Sequence, residues 1–131
     1  MTTMKELTIG QRMTKTPHLI GVEQSLRVAH DLMRKYEIRH LPVLHGGKLI
    51  GLVSLRDLHL VETLRDVDPE TVRVEDAMTQ DVYAVGAKTP LKEVVNEMAR
   101  RKLGSAVVVE GATVVGVFTT VDALEVLAEL L

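Results

Sequence analysis

The chain has 131 residues, 46% of them hydrophobic and 26% charged, which is typical of one globular domain or two fused small ones. It contains no cysteine, so disulfides, thiolate metal sites and cysteine nucleophiles are excluded. The formal net charge is −2 and there is no run of Lys or Arg, so we expect no nucleic-acid partner. No apolar run could cross a bilayer and no signal-like core begins the chain, so we expect a cytoplasmic protein without a membrane partner.

The first half of the chain predicts five elements with a glycine turn between two strands. Apolar spacing and turn residues give an extended segment over Pro17–Val22, a helix over about Ser25–Glu37, strands over Leu41–Leu44 and Lys48–Val53 around Gly46-Gly47, and a helix from Leu55 to about Leu64. This order is strand, helix, strand, strand, helix. The first crossover should be parallel and the hairpin antiparallel.

The second half predicts the same order. Its elements are a strand over Val82–Val85, a helix over Leu91–Lys102, strands over Ala106–Val109 and Thr113–Phe118, and a helix from Thr120 to near the end. Thr89 is predicted as an N-cap with Pro90 in the first helical position.

The two halves align with each other when the sequence is shifted by 65 residues. Met13-Thr14 then falls on Met78-Thr79, Gly51 on Gly116 and Asp57 on Asp122. We interpret this as an internal duplication, with a first repeat and its N-terminal segment over 1–66, a linker over 67–74 and a second repeat over 75–131. One copy alone has a marginal core, so we expect an α/β (α+β) fold of two β-α-β-β-α repeats related by a pseudo-twofold axis.

Both copies place a hydroxyl and a carboxylate three residues apart where a strand meets a helix. The pairs are Ser54 with Asp57 and Thr119 with Asp122. One interpretation is a helix capping box, which contributes about 1 kcal/mol and needs no ligand. The other is a nucleotide site, in which the helix N-terminus and the hydroxyl bind phosphate while the acceptor-only carboxylate binds the ribose hydroxyls.

The duplicated motifs resemble a tandem pair of cystathionine-β-synthase (CBS) domains. The resemblance rests on Met13-Thr14, Arg39–Leu44, Gly46-Gly47 and Gly51–Asp57, and on their counterparts Met78-Thr79, Ser105–Val109, Gly111 and Gly116–Asp122. It covers nearly the whole chain. It implies a stand-alone, non-catalytic regulatory module that binds an adenosyl ligand in the cleft between the repeats. AMP, ADP or ATP is the expected regulatory ligand, with S-adenosylmethionine or NADH as further members of the class, and no cofactor is required.

The resemblance also assigns residues to parts of the ligand. Asp57 and Asp122 would hold the ribose, with Ser54 and Thr119 beside ribose and phosphate and Arg56 on the phosphate. The base would contact Ile38, Arg39 and His40 or Leu103, Gly104 and Ser105, together with Thr14 and His18 or Thr79 and Tyr83, against apolar walls at Leu52 and Val117.

The second copy departs from the pattern at two positions. Val107 replaces the family-like Pro42, and Val121 stands where the first copy has Arg56. The second copy therefore lacks one phosphate contact, and we expect its cleft either to prefer a less charged ligand or to stay empty.

A regulatory module must transmit binding to a partner. We expect an effector protein, not identified by the sequence, or a homodimer formed through helical faces that carry Leu60, Leu64, Leu124, Leu127 and Leu131. The alternative for these leucines is that they complete the intramolecular core. The alternative function is a constitutive dimerisation scaffold with no physiological ligand.

The five histidines do not predict a metal site. Their spacing contains no pair on one helix turn of the kind that binds zinc. Nothing resembles a P-loop, a dinucleotide-binding loop or a nucleophile elbow, so we expect neither catalytic residues nor metal ligands.

Overall fold

A computed structural model describes residues 7–15, 17–64 and 66–131. These residues form two compact units. The first unit is His18–Val82, and the second combines the described residues up to Pro17 with Tyr83–Leu131. The predicted mixed α/β class is confirmed, with four α-helices and two sheets among the described residues.

The elements follow the predicted order in both units. The second unit begins with a 3-10 turn at Ile9–Gln11 and strand β1 (Thr14–Lys15). The first unit contains β2 (Ile20–Gly21), α1 (Leu26–Tyr36), β3 (His40–His45), β4 (Lys48–Ser54), α2 (Leu55–Glu62) and a 3-10 turn at Val74–Asp76. The second unit continues with β5 (Ala84–Gly86), α3 (Leu91–Arg101), β6 (Ser105–Glu110), β7 (Thr113–Thr119) and α4 (Thr120–Leu130).

Each unit has one sheet in which the predicted pairings occur. The order is β2-β3-β4 in the first unit and β1-β7-β6-β5 in the second. Pairs β2/β3 and β5/β6 are parallel, whereas β3/β4 and β6/β7 are antiparallel hairpins. The first hairpin turns at Gly46-Gly47, whose φ angles of 56° and 80° fit a two-residue turn that glycine adopts without strain.

The helices bury equivalent faces. Helix α1 buries Leu26, Ala29 and Met33, and Ser25 caps it by accepting a hydrogen bond from the Val28 N–H at 3.3 Å. Helix α3 buries Leu91, Val94 and Met98, each 65 residues later. Burying one apolar stripe per helix against a sheet gives each unit its own core.

The cores lie between these helices and the sheets. Their fully buried members in the first unit are Leu26, Ala29, Leu41, Val43, Val53, Leu58 and Val74. In the second unit they are Ile9, Val94, Ala106, Val108 and Phe118.

The alternative that the helix leucines complete a core is wrong, because Leu60, Leu64, Leu124 and Leu127 are 48–63% exposed and Leu131 is 97% exposed.

The segment preceding each repeat packs on the other repeat's helix–sheet layer. Leu91 N–H donates to the Leu7 carbonyl at 2.8 Å, and Leu26 N–H donates to the Val72 carbonyl at 2.9 Å. Val74 belongs to the segment before the second repeat and is fully buried in the core of the first unit, although that segment carries no periodic pattern. The predicted start of α3 is wrong by one residue: Pro90, and not Thr89, is the N-cap. The backbone of Thr8 pairs with Pro90, so the N-terminal segment and not the Thr89 side chain covers this helix end.

Candidate functional site

The hydroxyl and carboxylate of the first copy meet where β4 runs into α2. Ser54 N–H donates to Asp57 Oδ2 at 2.8 Å, and Asp57 N–H donates to Ser54 Oγ at 3.1 Å. This reciprocal pair is the capping box that the spacing predicts. Among the described residues, no further group donates to the Asp57 carboxylate, so Oδ1 keeps its acceptor capacity.

The second copy repeats this geometry where β7 runs into α4. Thr119 N–H donates to Asp122 Oδ2 at 2.8 Å, and Asp122 N–H lies 3.4 Å from Thr119 Oγ1. Here the carboxylate has another partner, because Thr14 Oγ1 lies 3.2 Å from Asp122 Oδ1. Strand β1 places Thr14 there by pairing with Val117 of β7.

Three of the predicted base and phosphate contacts surround the first junction. The Arg39 carbonyl accepts a hydrogen bond from Leu55 N–H at 2.9 Å, and His40 pairs with Ser54 across β3 and β4. Arg56 is exposed on the first turn of α2. Burial lowers the pKa of His40, with the charge of Arg39 acting in the same direction and that of Asp57 opposing it. Burial therefore favours the neutral form of the His40 imidazole.

The first unit also contains predicted contacts that are apolar side chains or backbone groups. Ile38 and Arg39 line a depression of about 550 Å³ on the first unit, together with His30, Met33, Arg34, Glu37, Leu55 and His59. Leu52 N–H donates to the Thr79 carbonyl at 2.9 Å, and Thr79 N–H donates to the Leu52 carbonyl at 2.8 Å. These bonds hold Thr79 beside β4 at Leu52, which precedes Ser54 by two residues.

In the second copy, the smaller and neutral residues Gly104 and Ser105 stand at the positions of Arg39 and His40. The Gly104 carbonyl accepts from Thr120 N–H at 3.1 Å, and Ser105 pairs with Thr119 across β6 and β7. Ser105 is 5% exposed, and its hydroxyl has no hydrogen-bond partner among the described residues. Val117 is buried and Leu103 packs against the core, so both supply apolar surface.

Two aromatic positions of the prediction, His18 and Tyr83, make contacts with residues outside the hydroxyl–carboxylate pairs. The His18 ring stacks on Tyr36 at the end of α1, with centroids 3.6 Å apart. Tyr83 accepts a backbone hydrogen bond from Val107, and its ring lies 5.4 Å from the Arg101 guanidinium. Burial, which is the largest cause, raises the pKa of Tyr83. The structure also divides the predicted pairs between the units: Thr14 and Tyr83 belong to the second, and His18 and Thr79 to the first.

The sequence suggested close backbone approach or a strand interruption at Gly51 and Gly116, but it did not identify the residues that lie against them. Gly51 lies against Met78, where an added Cβ would sit 2.6 Å from Sδ and 3.0 Å from the Thr79 carbonyl oxygen. Gly116 is as closely covered by Met13, and an added Cβ would lie 3.0 Å from the Thr14 carbonyl oxygen. The signal was present, since the Met-Thr pairs and the glycines are identical between the copies.

Two ion pairs were also unpredicted. Arg12 binds Glu129 at 2.7 Å, which ties the N-terminal segment to the end of α4. His30 Nε2 contacts Glu62 Oε1, which joins α1 to α2. In residues 7–15, 17–64 and 66–131 no group of three or more His, Asp or Glu side chains could hold a metal ion. No described helix is long and apolar enough to cross a membrane.

Comparisons with known proteins identify the family and the fold. A sequence model of the CBS domain family matches residues 5–61 and 74–129. The chain is 35% identical to inosine-5'-monophosphate dehydrogenase of Korarchaeum cryptofilum over 104 residues, which are 79% of this chain and 21% of that enzyme. The chain therefore spans about a fifth of the dehydrogenase's length.

Solved structures share the fold over nearly the whole chain. The AcuB protein of Vibrio cholerae is 30% identical with a TM-score of 0.84, and the match covers 95% of this chain and 92% of that one. The CBS domain pair of protein MJ0100, solved in complex with 5'-methylthioadenosine and S-adenosyl-L-methionine, has a TM-score of 0.87 at 22% identity. That match covers 95% of this chain and 98% of the other.

Proposed function

This chain belongs to the CBS domain family, and from that premise we propose that it is a non-catalytic regulatory module which binds an adenosyl ligand at its strand–helix junctions. The ligand class is AMP, ADP or ATP, or a related adenosyl compound. Binding changes the conformation or the oligomeric state, and a partner protein or a second copy responds. The repeats that carry these junctions are those proposed over 1–66 and 75–131.

The observation that carries this proposal is the state of the two carboxylates. Asp57 and Asp122 are each fixed by a backbone N–H to one oxygen, at 2.8 Å in both copies. A carboxylate has about four acceptor positions, so Asp57 retains capacity for the two hydroxyls of a ribose. At Asp122 the hydroxyls of Thr14 and Thr119 already occupy part of that capacity, and a ribose would replace them. Fixing the carboxylate before binding lowers the conformational cost of holding the ribose.

The surroundings suit the rest of an adenosyl group. Leu52 and Val117 lie on the strands that lead to the junctions, and Ile38 and Leu103 precede the neighbouring strands. These side chains offer an apolar wall for a purine. The adenosyl compounds bound by the CBS pair of MJ0100 support the ligand class.

Thermal unfolding in the presence of AMP, ATP, S-adenosylmethionine and 5'-methylthioadenosine tests the proposal. A compound present at a hundred times its Kd adds about 2.7 kcal/mol to the free energy of unfolding. Asp57→Asn and Asp122→Asn remove the negative charge but keep an oxygen that accepts the capping bond. Loss of the ligand-induced shift in one or both variants, with the unliganded midpoint retained, supports the proposal.

The matched control is Asp31→Asn, an exposed carboxylate on α1. It should shift with ligand as the wild type does. If no adenosyl compound shifts the midpoint, or if all three variants respond alike, the proposed site is wrong.

A second candidate function is a constitutive dimerisation scaffold. Helix α4 exposes Leu124, Leu127 and Leu130, and the second unit has an apolar groove of about 360 Å³ between α3 and α4, which Leu127 and Leu130 help to line. Exposed apolar residues grouped on one helix are typical of a protein–protein interface, and the scaffold hypothesis takes a second copy of this chain as the partner. Light scattering of Leu124→Glu and Leu127→Glu separates the functions: a dimer lost in these variants, in a protein that binds no adenosyl compound, favours the scaffold.

A further inference from the structure

The first junction has basic residues that the second junction lacks. Three positions of the first copy that the ligand is proposed to contact carry a basic side chain, and each is neutral 65 residues later. The pairs are Arg39 and Gly104, His40 and Ser105, and Arg56 and Val121. The hydroxyl and the carboxylate, in contrast, are present in both copies.

The backbone places these differing residues alike. Arg39 and Gly104 each accept, through the carbonyl oxygen, the N–H of the first residue of the following helix, at 2.9 and 3.1 Å. His40 and Ser105 each pair with the capping residue of that helix. The difference between the junctions is therefore chemical, since the same backbone positions carry guanidinium and imidazole groups in one and no basic group in the other.

Three cations of the second unit, Lys15, Arg12 and Arg101, are placed or paired elsewhere. Lys15 follows Thr14 on β1 and so lies on the opposite face of that strand. Arg12 is paired with Glu129, and Arg101 lies 3.7 Å from Glu97. A phosphate at the second junction would meet the negative charge of Asp122 with no arginine from α4 beside it.

We propose that the two junctions take different adenosyl ligands: the Asp57 junction binds one that carries a 5'-phosphate, and the Asp122 junction binds one without negative charge. This inference rests on the proposed function. Arginine binds phosphate through paired, charge-assisted hydrogen bonds, and Arg56, the residue assigned to the phosphate, offers such a group. Arg39 adds a second positive charge to the same copy. His40 offers an imidazole N–H donor. At the other junction, Gly104, Ser105 and Val121 present a neutral surface that an uncharged thioether nucleoside can contact without desolvating a charge.

Isothermal titration with AMP and with 5'-methylthioadenosine tests the assignment. Asp57→Asn should abolish most AMP binding, whereas Asp122→Asn should abolish most 5'-methylthioadenosine binding. The sharper pair exchanges the side chains between the copies: Arg56→Val and Val121→Arg. Both positions are exposed on the first turn of a helix, so neither change disturbs a core.

Arg56→Val should weaken AMP binding by about tenfold, the size of one charge-assisted hydrogen bond, and leave 5'-methylthioadenosine binding unchanged. Val121→Arg should add a second AMP equivalent. Lys48→Ala removes a cation at the far end of β4 and is the matched control, with no effect on either titration.

The outcomes separate the two proposals. If AMP binding is lost in Asp122→Asn and not in Asp57→Asn, or if Arg56→Val binds AMP as the wild type does, the charge assignment is wrong while the proposed function stands. If neither probe binds the wild type, or neither Asp variant alters binding, the proposed function is wrong and the assignment falls with it.

Discussion

The hydroxyl of Thr14 lies 3.2 Å from Oδ1 of Asp122, although 108 residues separate them along the chain. Strand β1 makes this contact by pairing with β7, so the N-terminal segment completes the second junction. In the first junction Thr79 pairs with Leu52 through its backbone, and among the described residues the Asp57 carboxylate accepts only the backbone N–H of Ser54. The two carboxylates therefore differ in how many donors they already hold.

Thr14→Val tests this contact. Valine keeps the β-branched shape but removes the donor, so the free energy of unfolding should fall by about 0.5–1.5 kcal/mol. Thr79→Val is the control, because the two hydrogen bonds of Thr79 to Leu52 come from the backbone and persist. Urea denaturation measures both variants; equal losses would show that the Thr14 hydroxyl has no specific role.

Close backbone approach at the glycines predicts a second pair of effects. Gly51→Ala and Gly116→Ala place a Cβ 3.0 Å from a carbonyl oxygen and closer still to a methionine sulfur. Each should lower the free energy of unfolding by about 1–3 kcal/mol, as overpacking does. Gly86→Ala, where an added Cβ has no neighbour within 4 Å, should leave stability nearly unchanged. A similar loss at all three positions in urea denaturation would contradict this explanation.

The elements and both junctions were predictable from the sequence, because helices, hairpins and capping boxes are specified by residues close together in the chain. The segments before each repeat were not. Val74 is buried from within a stretch that carries no periodic signal, since a single 3-10 turn is too short to display one. The pairing of Thr14 with Asp122 depends on a two-residue strand, which local patterns do not identify.

The caps contribute to stability whether or not a ligand binds. Ser54→Ala and Thr119→Ala each remove the side-chain acceptor for the N–H of the following aspartate, and each should lower the free energy of unfolding by about 1 kcal/mol. Thr120→Ala is the control, because Thr120 is exposed and its side chain makes no described hydrogen bond. Chemical denaturation of the three variants checks this, and an unchanged midpoint in Ser54→Ala would argue against the cap in the first copy.

His40 predicts a loss of stability on the acid side. Burial, the largest cause, lowers the pKa of His40 below its ordinary value, with Arg39 acting in the same direction and Asp57 opposing it. Between the lowered pKa and the unfolded-state value of about 6.5, the unfolded chain binds more protons, so stability rises with pH and levels off above about 6.5. The full contribution is therefore present at neutral pH and is lost on acidification.

His40→Ser, which introduces the residue of the second copy, should make the dependence of unfolding free energy on pH shallower below about 6.5. His45→Ser is the control, because His45 is exposed at the other end of β3. Denaturation curves at several pH values measure the slope; an unchanged slope in His40→Ser would contradict the assignment.

A crystal structure grown with 5'-methylthioadenosine tests the proposed adenosyl site most directly. We expect the ribose hydroxyls to lie about 2.5–3.0 Å from the carboxylate oxygens of Asp122 or Asp57, with the capping bonds intact. A nucleoside bound away from both carboxylates, or none bound at saturating concentration, would contradict it.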